Sequence, residues 1–191
     1  MENKMNLFHT GFSEIKSPDI RKGRKNADFG QGFYLSDNEE FSKRWARQRK
    51  GEVTFLNKYE LCLEGLKIKH FVKNKEWFDY IFANRRSLAD IYADYDVIIG
   101  PIANDTIYDT YGILTSGLID EKKALEVLMI GATYEQIVIK SEKAAKALHF
   151  MSAEILKGEE IAKYREWVKT EVEKFQEEFS RIVGNLDELL D

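Results

Sequence analysis

Four short segments of this chain carry side chains able to do chemistry: His9-Thr10-Gly11, the run Asp28-Phe29-Gly30-Gln31-Gly32-Phe33-Tyr34-Leu35-Ser36, the pair Ser42 and Trp45, and Glu135-Gln136. Gly30 and Gly32 permit a tight turn or a close backbone approach, and the aromatic run after them reads as a short strand. A Tyr on a strand beside such a turn is placed to wall a pocket, and His9 on the first strand is a polar group able to meet it there. Glu135 or Gln136, just before the apolar strand 137–139, would bring a carboxylate or an amide to the same place. A carboxylate there stabilises developing positive charge and orients a nucleophile. Side chains alternate across a strand, so only one of Glu135 and Gln136 can face a given cleft.

The elements that must position these groups follow from periodicity and caps. Strands are expected at 6–9, 32–35, 53–63, 96–101 and 137–139. Asp37 or Asn38 caps a helix to about residue 49, with Phe41 and Trp45 four apart on one face. A helix is expected from Trp77 to about residue 93, with Trp77, Tyr80, Ile81, Leu88 and Ile91 as its apolar stripe. Shorter helices are expected at 104–111, at 120–128 from a capping Asp120, and at 142–148 capped by Ser141. From about residue 159 the chain reads as one long amphipathic helix with apolar steps of three and four, packed on its own domain or serving as a partner or dimer seam.

Composition narrows the function. With 191 residues and 43% hydrophobic residues, the chain can bury a core without staples. A single cysteine, Cys62, excludes an intramolecular disulfide and suits a reducing compartment, so the expectation is a cytoplasmic protein with no membrane span. A net charge of −4 argues against a large nonspecific nucleic-acid surface. Position 35 is Leu, so the glycines do not make a dinucleotide-binding Gly-x-Gly-x-x-Gly motif, and no P-loop occurs. Three His and one Cys are too few for a zinc site. Cys62 lies in an apolar alternation and reads as an inert thiol.

The His9 and Tyr34 segments together resemble the ADP-ribosyltransferase superfamily, in which a first-strand His, a Tyr from a Gly-x-Gly-aromatic-Tyr strand and a later acidic residue hold NAD. The resemblance implies an α+β fold of two mostly antiparallel sheets around an NAD cleft, with flanking helices and a C-terminal helical extension. Residues 1–156 would be the domain and 157–191 the accessory helix. It implies that His9 bonds the adenosine ribose, that Thr10 and Gly11 present backbone to the nicotinamide carboxamide, that Ser42 bonds the carboxamide, and that Tyr34 and Trp45 sandwich the nicotinamide. In the polymerase-like register, which is preferred, Glu135 is the catalytic acid. In another branch's register the position falls on Gln136, which cannot carry the charge.

A closer resemblance, over about residues 6–150, is to a bacterial family of domains of unknown function in the same clan. It rests on the Asp-Phe-Gly-x-Gly-Phe-Tyr segment, Trp45-Ala46, and Ile99-Gly100-Pro101-Ile102-Ala103-Asn104-Asp105. The expected activity is mono-ADP-ribosylation of an unknown acceptor, macromolecule or small molecule, with NAD as substrate and a toxin or effector role open. The alternatives are a weak or inactive NAD- or nucleotide-binding module with a partner-binding helix, and an RNA 2′-phosphotransferase, disfavoured by the acidic balance. Asp105 with the pair Arg85-Arg86 is a candidate second polar cluster, and Asn104-Asp105 also reads as a helix cap; alternatively Asp105 and Tyr108 line the cleft and Arg85 or Arg24 meets the pyrophosphate.

Overall fold

The computed structural model describes residues 3–102, 112, 116–117, 119–131 and 133–184. The chain folds as α+β, with two sheets flanked by helices and a long C-terminal helix. The strands are β1 (Lys4–Gly11), β2 (Phe33–Leu35), β3 (Phe55–Cys62), β4 (Ile68–His70), β5 (Val97–Pro101), β6 (Glu135–Ile139) and β7 (Leu148–Ile155). The helices are α1 (Glu39–Lys43), α2 (Lys75–Arg85), α3 (Glu121–Leu128), α4 (Glu142–Ala147) and α5 (Gly158–Val183), with a 3₁₀ turn at Ile20–Lys22.

One sheet has the order β1-β3-β7 and is antiparallel throughout. The other has the order β2-β6-β5-β4 and is antiparallel except for the β4–β5 pair. A bridge between Phe8 and Ser36, closed by backbone bonds of 2.8 and 3.0 Å, stitches β1 to the end of β2 and brings the sheets together.

The period-2 pattern of the strands sorts the core. Phe33, Leu35, Ile137, Ile139, Val97 and Ile99 turn one way and pack with Leu7, Tyr59 and Leu61 of the other sheet. Ile98 and Val138 turn the opposite way, against Phe29, Phe71 and the α2 residues Trp77, Tyr80 and Ile81. Burial of this much apolar surface on both faces of the second sheet explains why β5 and β6 read as unbroken apolar runs.

The expected caps at Asn38 and Ser141 form, their side chains accepting from Phe41 and Ala144 N–H, and Asn74, which is not among the expected caps, accepts from Trp77 N–H at the start of α2. Asp120 accepts from Lys123 N–H at 2.8 Å.

Two helices are shorter than their spacing predicts. After Lys43 the backbone tightens to i→i+3 bonds at Arg44, Trp45 and Ala46, and Ala46 is pulled into a cluster with Leu56, Leu156 and Ile161. The Arg47 carbonyl is taken by the Thr54 hydroxyl at 2.6 Å. The second helix ends at Arg85 because Ser87, at φ 57°, occupies a left-handed cap, with Ser87 N–H on Asn84 O and Leu88 N–H on Ala83 O. Leu88 and Ile91 are therefore exposed rather than on a helical stripe. Strands β4 and β7 were not expected: the first is three residues long, and the second is an edge strand with most of its side chains exposed. The expected helix at 104–111, with Asp105 and Tyr108, lies outside the described residues.

The long helix is docked at both ends. Ile161 joins the cluster under Ala46 and Leu56, and Val183 and Phe179 pack on Ile119, Ala124 and Val127. Between them, Arg44 lies over the rings of Phe41, Tyr134 and Trp167 at 5.1 to 5.2 Å and pairs with Glu171. Among the described residues no helix is long and apolar enough to cross a membrane.

Candidate functional site

A cleft of about 540 Å³ opens where β1, the glycine segment, α1 and β6 converge. Its lining includes His9, Thr10, Tyr34, Ser42, Trp45 and Gln136, drawn from four separate segments of the chain, together with Arg24, Asp28 and Arg85.

The glycine segment is built to hold one shape. Gly30 has φ +74°, and a Cβ there would lie 2.9 Å from Asp90 Oδ2. Gly23 and Gly32 meet backbone to backbone, for a Cβ on Gly23 would fall 2.1 Å from Gly32 O. Gln31 fastens the same approach by donating to the carbonyls of Arg21 and Gly23 at 2.6 and 3.0 Å. This presses the basic loop 21–25 against the turn and puts Arg24 at the cleft.

Tyr34 closes the turn from inside. Its hydroxyl donates to Gly30 O at 2.7 Å and accepts from Phe29 N–H at 2.9 Å. Burial, reinforced by the nearby Asp28 charge, holds the phenol above its ordinary range, so it stays neutral. Its hydroxyl is thus occupied, and what it offers the cleft is ring surface.

His9 Nδ1 lies 2.8 Å from the carbonyl oxygen of Tyr34. A carbonyl only accepts, so Nδ1 carries the proton and Nε2 keeps a lone pair. Burial lowers the imidazole below its ordinary value despite that bond. Gly11 is not part of the lining; it flanks the ring, where a Cβ would come within 3.3 Å of Nε2. The fully buried Asn57 fixes the chain after β1, bonding the His9 and Ser13 carbonyls and Ile15 N–H.

Thr10 and Ser42 hydroxyls approach to 3.5 Å across the cleft floor. Trp45 is 55% exposed and stands edge-on to Phe41 at 6.2 Å.

The register at β6 differs from the preferred one. Gln136 shares the face of Val138 and Tyr34 and lines the cleft, whereas Glu135 turns to the opposite face, where His70 Nε2 meets its Oε1 at 2.8 Å. Alternation along β6 decides this, because the apolar partners Ile137 and Ile139 must face the inter-sheet core and Glu135 goes with them. Glu135 is therefore not the cleft carboxylate. Asp37 lies close by on that side, and burial, then the Glu135 charge, raise its carboxyl above the usual range.

Asp28 is the carboxylate that does line the cleft among the described residues, and in the sequence it stands out only as part of the glycine motif. Arg85 grips its Oδ1 through Nε at 2.7 Å and Nη2 at 2.6 Å, and Gln136 Nε2 lies 3.2 Å from Oδ2. Its signal in the sequence is a charge set directly before an apolar turn, which needs a buried partner. That partner, Arg85, lies 57 positions away and leaves no local trace. Arg24, in contrast, has no hydrogen-bond or ion-pair partner among the described residues, so of the two arginines it is the one able to take an anion. No group of three His, Cys, Asp or Glu among the described residues is placed to hold a metal ion.

The family model described as "Protein of unknown function (DUF3990)" matches residues 5–150. No curated protein and no solved structure matches the chain.

Proposed function

The chain belongs to the DUF3990 family of proteins of unknown function, and from the cleft that this matched region builds we propose that it binds NAD and transfers ADP-ribose to an acceptor, releasing nicotinamide. The observation that carries the reading is the meeting, in one cleft, of His9, Thr10, Tyr34, Ser42, Trp45 and Gln136. The resemblance to ADP-ribosyltransferases picks out those positions from separate segments, and a volume of about 540 Å³ suits a ligand of this class.

In this reading His9 Nε2 accepts from an adenosine-ribose hydroxyl, Arg24 meets the pyrophosphate, and Ser42 with Thr10 bonds the carboxamide. The rings of Tyr34 and Trp45 contact the nicotinamide. The glycosidic C–N bond breaks with its electron pair leaving on nicotinamide, and the acceptor nucleophile then attacks the ribose carbon and loses its proton. Gln136 can orient a ribose hydroxyl but cannot supply negative charge to the cationic transition state, so turnover is expected to be slow.

A second reading, an NAD-binding module that does not transfer, is favoured by that same amide. Calorimetric NAD binding beside nicotinamide release, with and without cell lysate, separates the two. Release that survives Glu135→Ala and is lost in Gln136→Ala supports transfer; binding without release selects the module; no binding discards both.

A further inference from the structure

Resting on the NAD reading, we propose that Asp28 is a positioning residue that fixes the amide of Gln136 so that its carbonyl oxygen faces the bound ligand's ribose.

A carboxamide has a donating end and an accepting end that differ little in shape, and only its neighbours decide which way it points. Asp28, as a carboxylate, accepts only. Its Oδ1 is taken by the Arg85 fork, and its Oδ2 faces Gln136 at 3.2 Å, so the NH₂ group must turn toward Asp28. Oε1 then points away from Asp28. It makes no hydrogen bond to any described residue, and Gln136 lines the cleft. An acceptor oriented this way recognises a hydroxyl, and the hydroxyls of a nucleotide lie on its ribose.

The pair also bears on the missing charge. The negative group of this dyad is at position 28 and the neutral one at 136. Gln136→Glu alone would set two carboxylates at hydrogen-bond distance, and like charges so close oppose each other. The exchange Asp28→Asn with Gln136→Glu keeps one charge and one amide and moves the charge to the strand. It is therefore expected to release nicotinamide faster than Gln136→Glu alone.

The test compares calorimetric binding of NAD with that of an NAD analogue lacking both hydroxyls on the nicotinamide ribose, using the full chain. Wild type is expected to prefer NAD by about tenfold, the range of one hydrogen bond. Asp28→Asn, whose amide can face Gln136 either way, and Gln136→Met, which has no acceptor, are each expected to bring the preference to within about twofold of unity while the analogue's own affinity holds. A merely structural loss would weaken both ligands together. Because Asp28→Asn removes the carboxylate that Arg85 grips and can unfold the chain, a wild-type measurement stands beside it: NMR coupling from the Gln136 side-chain nitrogen to the Asp28 carboxylate carbon. Absence of that coupling, a folded Asp28→Asn or Gln136→Met with wild-type preference, or equal binding of both compounds by wild type overturns the role. Failure of wild type to bind either compound while the coupling is present traces the failure to the NAD reading.

Discussion

His9 donates its Nδ1–H to the main-chain oxygen of Tyr34 at 2.8 Å, so a side chain of the first strand is tied to the backbone of the second beside the Phe8–Ser36 bridge. The bond fixes the tautomer, and burial keeps the ring neutral. The folded-state value lies below the ordinary 6.5, so the unfolded chain binds more protons between the two values. The stability this residue contributes is fully present above pH 6.5 and is lost as pH falls through the folded value. Ligand binding should stay level down to that value and then drop, as protonation removes the Nε2 acceptor. Paired NMR titration of His9 and thermal melts across pH 8 to 4 check both; a ring that titrates at or above its ordinary value sinks the argument.

Tyr34→Phe removes a hydroxyl that both donates and accepts inside the glycine turn but leaves the ring. Urea unfolding should show a loss of about 1–3 kcal/mol, because Phe29 N–H is left without a partner. If the proposed NAD reading holds, affinity for NAD should change less than about twofold. A large affinity loss with unchanged stability would mean the hydroxyl, not the ring, serves the ligand.

Gly23→Ala tests the backbone contact with Gly32. Its φ of −64° suits any residue, so torsion costs nothing, but the new methyl would overlap Gly32 O. The expected loss is about 3 kcal/mol or more. Gly51→Ala, at φ +81° with open space around it, should cost only about 1–2 kcal/mol. Equal melting temperatures for the two variants would show that the loop is not pressed on the turn.

Ser87 holds a left-handed cap that glycine fills without strain. Ser87→Gly should stabilise the chain by about 0.5–1 kcal/mol, and Ser87→Val should destabilise it by more than that. Differential scanning calorimetry of the two should bracket wild type.

Ile161 and Val172 both belong to the apolar stripe of α5 but differ in burial, at 3% and 50% exposed. Ile161→Ala should cost about 2–4 kcal/mol and Val172→Ala less than about 0.5. Similar costs at the two sites would mean that the helix is docked differently. Truncation after Leu156 should likewise give an insoluble chain, since it uncovers Ala46 and Leu56.

The strands and caps that were legible are those with dense local signals: β5 and β6 as apolar runs, and Asn38, Asp120 and Ser141 ahead of their helices. The missed features depend on distant partners. The end of α2 is set by a serine in a place where sequence leads one to look for glycine. The end of α1 is set by Ala46 packing on Leu56 and Ile161. The site was legible as a set of positions, but the choice between Glu135 and Gln136 needed the face of β6, which a two-residue ambiguity in one strand hides. Asp28 was visible as a residue, but its tie to Arg85 and Gln136 exists only in the fold.

The three tryptophans occupy three different surroundings: Trp77 is sealed in the core with its indole N–H on Pro101 O at 3.0 Å, Trp167 lies half-covered beside Arg44, and Trp45 stands open at the cleft. The chain therefore carries its own optical probe. Its emission is expected to divide into a blue component inaccessible to iodide, from Trp77, and a red, quenchable component weighted toward Trp45. A planar ligand stacking at the cleft would dim the red edge and leave the blue edge unchanged.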